Sequence, residues 1–252
     1  MTVLAIYSNK GGVGKTATAV NLSYMAAMSG LNTLICDLDA QASSTYYLRV
    51  KPKLKRQARG LMKSGNAIDR SIKGSDYDGL DILPAEFSHR NLDIVYDRLK
   101  KSRHRLKKVL SPLNQEYDLI VLDCLSSINI LAENVFNAAD FLLMPMIPTT
   151  LSQRTYEQMI TFLEDSGKSI RQVYTFFSMV DRRKRLHLDT IIALRKSYPN
   201  VLQSTIPYRS TIERMGIERQ PVFVFAPNSD AAQAYTQLWT EVRNLINAHP
   251  PV

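Results

Sequence analysis

The feature that most restricts how this chain can fold is its first stretch, residues 2 to 30. "TVLAIYS" (2–8) is almost wholly apolar, "NKGGVGKT" follows, and a segment rich in alanine and methionine then runs to Ser29 and Gly30. The apolar run suits a strand buried on both faces, and the rest a helix from about Lys15 to Ser29 closed by Gly30 in a left-handed conformation. A strand that feeds a glycine turn and then a helix aims backbone N–H groups and a helix N-terminus at one spot. That geometry suits a chain of phosphates.

Similar apolar runs recur: "NTLICDLD" (32–39), "LDILPA" (80–85), "YDLIVLDC" (117–124), "DFLLMPMIP" (140–148), "QVYTFFSMV" (172–180) and "VLQSTIPY" (201–208). The intervening segments are long enough for crossover helices, so the expected fold is a doubly wound α/β domain. Its sheet should be mostly parallel, with about seven or eight strands and helices on both faces. A length of 252 residues fits one such domain over 1–252. Between Arg90 and Leu110, Leu92, Val95, Leu99, Leu106 and Leu110 recur at helical spacing, broken around Arg103, which predicts a helix with a buried stripe and a basic outer face.

Within the loop, Gly11, Gly12 and Gly14 let the backbone approach phosphate oxygens, Lys15 reaches the terminal phosphates, and the Thr16 hydroxyl can bind Mg²⁺. Asn9 stands where the usual spacing has glycine, but the loop lies directly between a strand and a helix. Two strand ends supply carboxylates. Asp123 follows four apolar residues, as expected of the group that holds Mg²⁺ through water. Asp37 and Asp39, two apart, project on one side, so one can meet the metal shell and the other orient a water. Cys36 and Cys124 sit inside apolar runs without metal-ligand spacing and read as core residues.

"KGGVGKT" (10–16), "DLDAQ" (37–41), "LIVLD" (119–123) and "IPYRSTIERMGIERQPV" (206–222) together resemble the ParA/MinD family of ATPases over nearly the whole chain. The resemblance implies a P-loop NTPase fold, ATP with Mg²⁺ as cofactors, and a homodimer that closes over nucleotide. It implies ATP contacts from Lys10, Gly11, Gly12, Val13, Gly14, Lys15, Thr16, Ala17 and Pro207, with Thr16, Asp37 and Asp123 around the metal. Catalysis would rest on Lys10, Lys15, Asp39 and Asp123, with Lys10 crossing to the partner's phosphates. The physics agrees, since a lysine five residues before Lys15 can be presented by a facing subunit as an arginine finger is. Two places depart from the family pattern. Ala40 replaces the proline that often follows the switch aspartate, and Cys124-Leu125-Ser126-Ser127 replaces Thr-Pro-Pro-Gly.

Charge narrows the expected partners. The chain carries 32 Lys+Arg against 23 Asp+Glu, a net +9. The excess is clustered: Arg49, Lys51, Lys53, Lys55, Arg56, Arg59 and Lys63; Arg98, Lys100, Lys101, Arg103, Arg105, Lys107 and Lys108; and "RRKR" at 182–185. Such blocks attract polyanions. The C-terminal "TEVRNLINAHPPV" lacks a basic amphipathic anchor, and no apolar stretch reaches the length of about 18 residues that would cross a membrane. With the loop at residue 9, no operator-reading domain is expected before it. The expectation is therefore a cytoplasmic, nucleoid-associated ATPase of the short type, which binds DNA nonspecifically and answers to a separate adaptor protein. Similarity to the family makes Arg182, Arg183, Lys184, Arg185, Arg209 and Arg214 the DNA-binding candidates. The alternatives are a metabolic enzyme on the same loop, or a protein-binding regulatory switch that never touches DNA.

Overall fold

The computed structural model describes residues 1–51, 68–85, 102–165 and 173–249. Lys53, Lys55, Arg56, Arg59, Lys63, Arg98, Lys100 and Lys101 of the basic blocks lie outside these residues, as do Leu92, Val95 and Leu99 of the expected helix.

Among the described residues the strands form one eight-stranded sheet in the order β3-β4-β2-β5-β1-β6-β7-β8. The strands are β1 Thr2–Ile6, β2 Thr33–Asp37, β3 Lys73–Gly74, β4 Leu80–Leu83, β5 Leu119–Asp123, β6 Phe141–Met146, β7 Val173–Val180 and β8 Val201–Pro207. All neighbours pair in parallel except β3 with β4. The antiparallel two-residue β3 escaped the sequence reading because it contributes no apolar run; Lys73 is half-buried and Gly74 exposed.

Parallel pairing explains the sequence pattern. Val3 and Ala5 of β1 pack into one core with Leu34, Cys36, Ile120 and Leu122, while Leu4 and Ile6 pack into the other with Ile35, Leu119 and Val121. Because successive side chains point to opposite faces, a strand covered on both sides must be apolar throughout. The first face is covered by α3 (Arg105–Leu110), α4 (Ile130–Ala138) and α5 (Thr150–Asp165). The second is covered by α1 (Lys15–Met28) and the last helix, which spans Asp230–Ala248. Cys36 and Cys124 are buried free thiols, as read from the sequence.

Between these lie α2 (Ser43–Tyr47), α6 (Arg185–Ser197), α7 (Ser210–Glu213), α8 (Met215–Glu218) and α9 (Val222–Phe225); the Asp230–Ala248 helix is α10. Of the helix expected over 90–110, the described part is a 3₁₀ turn at Ser102–His104 followed by α3, with Leu106 and Leu110 buried as the stripe requires. Helix α1 ends at Met28, and Gly30 takes φ +89°. No helix among the described residues is long and apolar enough to cross a membrane.

The register sets the site. Ile6, Asp37 and Asp123 lie level at the ends of β1, β2 and β5, so the loop after β1 meets both carboxylates at one edge of the sheet. Chain order also reverses direction here, with β5 and β6 on either side of β1. Ligands of open α/β sheets bind at such crevices beyond the carboxyl ends of the strands.

Candidate functional site

Helix α1 begins without protection. Its N-cap is Gly14 at φ 90°, no side chain caps its first amides, and its first turn holds no acidic residue. The free N–H groups and the positive end of the helix dipole therefore face the loop. Gly12 and Gly14 both have positive φ, and a Cβ at Gly14 would stand 3.0 Å from the Ser178 hydroxyl. A side chain there would be strained as well as crowded.

A cavity of about 420 Å³ opens at this point, lined by Gly11, Gly12, Gly14, Lys15, Thr16 and Ala17 of the loop and by Asp39 and Ser126. Its far wall includes Ser178, Met179, Pro207, Tyr208, Ile212 and Glu213. Of the residues expected to hold nucleotide, the cavity thus gathers the glycines, Lys15, Thr16, Ala17 and Pro207. Val13 is buried beneath the loop and lines a different crevice together with Lys10. Lys10 Nζ points away from the cavity and donates to Ser152 Oγ at 3.1 Å, at the start of α5. Its carbonyl turns inward and accepts from Lys15 Nζ at 3.2 Å.

Lys15 is buried, and its ammonium also donates to the Ser126 hydroxyl. Burial lowers its pKa, opposed by the nearby Asp123. An ammonium held by two neutral oxygens inside a cavity is ready for an anion.

The carboxylates divide the work. Asp123 is buried; Oδ2 accepts from the Ser44 hydroxyl, the Thr16 hydroxyl also bonds to this carboxylate, and Oδ1 has no partner among the described residues. A buried carboxylate oxygen without a donor is costly unless a ligand completes it. Asp37 lies beside it with Oδ2 taken by the Thr45 amide at 2.8 Å and the Thr45 hydroxyl at 2.7 Å, and with Oδ1 accepting from the Asp39 amide at 3.3 Å. Burial raises both carboxyls above their ordinary value, and Asp123 pushes Asp37 up further. A cation at Oδ1 of Asp123 would favour the charged form, and the Thr16 hydroxyl together with Asp123 is an oxygen donor set that suits Mg²⁺. Asp37 instead braces α2 through Thr45. Asp39 lines the cavity, with Oδ1 accepting from the Gln41 amide at 2.9 Å.

Several wall residues were not legible in the sequence. Met179 sits in the left-handed region at φ 54°, where the pairing of β7 with β8 is irregular, and Tyr208, Ile212 and Glu213 follow β8. A hint lies in the Ser-Met-Val that ends the sixth apolar run, but hydropathy cannot reveal a bulge. In the sequence Ser126 stands out only as a departure from the family pattern.

The segment 209–222 is tied to α1 and α2. Buried Asn21 accepts from the Val222 amide at 2.9 Å and donates to the Ala17 carbonyl at 2.8 Å. Arg49 donates to the carbonyls of Arg219 (3.1 Å) and Glu218 (2.9 Å). Arg219 returns the contact to the Tyr46 carbonyl at 3.1 Å, its guanidinium 4.4 Å from the Tyr46 ring centre. This reciprocal clasp joins the end of α2 to α8.

Of the six basic residues expected to meet DNA, four are paired within the chain. Arg183 binds Asp181 through two nitrogens at 2.9 Å, holding that carboxyl down at about 2, and Arg185 pairs with Asp189 at 3.0 Å. Arg209 and Arg214 pair with Asp230 and Glu218 at 2.6 Å. Arg182 and Lys184 are exposed without a salt bridge among the described residues. Arg182, Arg183 and Arg209 line one cleft of about 530 Å³, and Arg209 also borders the cavity beside the loop.

A parallel sheet with this loop at its carboxyl edge, two carboxylates level with it and a buried lysine in the turn define a P-loop ATPase. Residues 1–176 match a family model described as an AAA domain, and the chain belongs to that family, as a P-loop ATPase of the ParA/MinD group. Among its relatives, the sporulation initiation inhibitor protein Soj of Bacillus subtilis is 26% identical over 246 residues, covering 95% of this chain and 97% of that one. In structure it is similar to a plasmid partition protein of Borrelia burgdorferi, with TM-score 0.79, 22% identity and coverage of 97% and 99%. It is also similar to cobyrinic acid a,c-diamide synthase of Mycobacterium smegmatis with bound ADP and magnesium, with TM-score 0.81, 21% identity and coverage of 98% and 96%. The group is one of partition or positioning ATPases.

Proposed function

We propose that this chain binds ATP and Mg²⁺ in the cavity beside the loop, pairs with a second copy when ATP is bound, and holds DNA nonspecifically until an adaptor stimulates hydrolysis. Such a cycle distributes a cargo: a plasmid, a chromosome or a protein assembly such as a carboxysome. The observation that carries this reading is the separation of the two lysines. Lys15 faces the cavity, while Lys10 turns its ammonium outward to Ser152 and leaves its own phosphate site. A cation so placed suits the nucleotide of a facing subunit.

In this reading the uncapped start of α1 and Lys15 bind the phosphate chain. Thr16 and Asp123 hold Mg²⁺, with Asp37 acting behind them by fixing Thr45 and Asp39. When bound, Mg²⁺ neutralises charge on the phosphates. Asp39 orients the attacking water, and Lys10 stabilises charge from across the dimer. Pro207 and the residues around it flank the base.

DNA would be met through phosphates alone. Arg182 and Lys184 are ready to do so, whereas Arg183, Arg185, Arg209 and Arg214 must exchange a carboxylate for a phosphate. The net +9 supports this reading. A metabolic ligase on the same fold is the second reading, favoured by the likeness to the cobyrinic acid synthase.

Electrophoretic mobility of nonspecific DNA with ATP, with ADP and without nucleotide, at two salt concentrations, tests the proposal. The expected result is a shift with ATP alone that weakens with salt. Absence of any ATP-dependent shift would sink the DNA-binding reading.

A further inference from the structure

The segment after Asp123 offers a hydroxyl at the point where the family pattern has proline. Ser126 lines the cavity with Gly11, Gly12, Lys15 and Asp39. Its oxygen accepts a hydrogen bond from Lys15 Nζ, and its hydroxyl donates to the Lys10 carbonyl at 3.2 Å. Lys15 Nζ donates to that same carbonyl. Lysine, serine and carbonyl thus close a triangle, and two of the three N–H donors of Lys15 are spent on neutral oxygens.

The backbone beside Ser126 is anchored from another side. The Ser127 carbonyl accepts from the buried Tyr7 hydroxyl at 3.0 Å, and the Tyr7 ring packs edge-on against Phe136 at 4.8 Å. Ser126 is therefore presented at a fixed place while its own side chain can rotate. Among the described residues, Asn9 Oδ1 and Ser127 Oγ are buried without a hydrogen-bond partner, as is Asp123 Oδ1.

We infer that Ser126 is a ligand for the terminal phosphate of a nucleoside triphosphate and lets the site tell triphosphate from diphosphate. The inference rests on the ATP reading of the cavity. Ser126 Oγ occupies one donor direction of the Lys15 ammonium, the direction an anionic oxygen would take. When that oxygen arrives, Lys15 exchanges a neutral acceptor for a charged one. The freed hydroxyl then lies beside the new oxygen and turns its proton from the Lys10 carbonyl to the phosphate. Proline at this position has no donor to offer. The carbonyl that Ser126 releases belongs to Lys10, so arrival of the phosphate also loosens the residue whose side chain is bound to Ser152.

The test compares affinities for ADP and for a non-hydrolysable ATP analogue, by calorimetry, in the wild type, Ser126→Ala and Ser126→Thr. Loss of one charge-assisted hydrogen bond should weaken binding of the triphosphate analogue by roughly tenfold in Ser126→Ala, with ADP affinity held within about twofold. Ser126→Thr keeps the hydroxyl and should keep the preference. Equal weakening for both nucleotides would reduce Ser126 to a structural prop and overturn the inference, and so would an unchanged ratio. If the wild type binds neither nucleotide, the ATP reading itself has failed, which the same titration distinguishes. Should Ser126→Ala fold poorly, Ser126→Gly gives the same comparison.

Discussion

Replacing Lys10 by alanine removes a side chain whose one hydrogen bond among the described residues joins it to Ser152, and Ser152 keeps Thr149 as another partner at 2.9 Å. No buried group is orphaned, so the stability cost is that of one ordinary hydrogen bond, about 0.5–1.5 kcal/mol. For a domain of this size that lowers the unfolding midpoint by only a few degrees. The Lys10 ammonium lies outside the nucleotide cavity, and its inward carbonyl is unaffected by the change, so ATP affinity should stay within about twofold. Turnover should fall by roughly a thousandfold or more, the scale of a charge supplied in trans to phosphoryl transfer. Fluorescent-nucleotide titration and a phosphate-release assay read the two quantities separately. Mixing Lys10→Ala with Lys15→Ala should restore turnover, because a mixed dimer contains one complete site. Normal turnover in Lys10→Ala alone would refute the trans role, and a tenfold loss of ATP affinity would place the lysine in its own subunit's site.

Lys15→Ala leaves the phosphate charge unmatched inside the cavity, and titration with ATP should show no binding; retained affinity would count against the loop assignment. Asp39→Ala should accumulate an ATP-bound dimer, seen by light scattering, and a variant that stays monomeric with ATP contradicts the water-orienting role. Asp37 binds its proton more tightly folded than unfolded, so its contribution to stability is full at acid pH and is lost as pH rises towards its raised value of about 8. In metal-free protein Asp37→Asn should therefore gain melting temperature relative to wild type at pH 8 but not at pH 4, and an equal shift at both would disprove the linkage. Arg49 holds φ 58° in the clasp. Arg49→Gly should melt above Arg49→Ala by a few degrees, because both lose the bonds to residues 218 and 219 but only glycine relieves about 1 kcal/mol of left-handed strain.

The sequence by itself determined the parts whose meaning is local. A strand covered on both faces must be apolar throughout, and a turn that brings backbone to a ligand needs glycine. The loop, Lys15, the strand-end aspartates and the start and stop of α1 were therefore readable, and so was the parallel sheet that lines them up. Only the tertiary structure decided which polar groups meet across long separations. Lys10 and Ser152 are 142 residues apart, and Lys15 and Ser126 are 111 apart. No periodicity records such pairs, and none shows that Arg209 holds Asp230, 21 residues further on. The same is true of the cavity wall, where Met179 is turned inward by a bulge that hydropathy cannot encode. The two lysines were visible from the start as neighbours in one loop. What sends them to different places is that β1 ends between β5 and β6: the segment after β5 brings Ser126 to Lys15, and the helix after β6 brings Ser152 to Lys10.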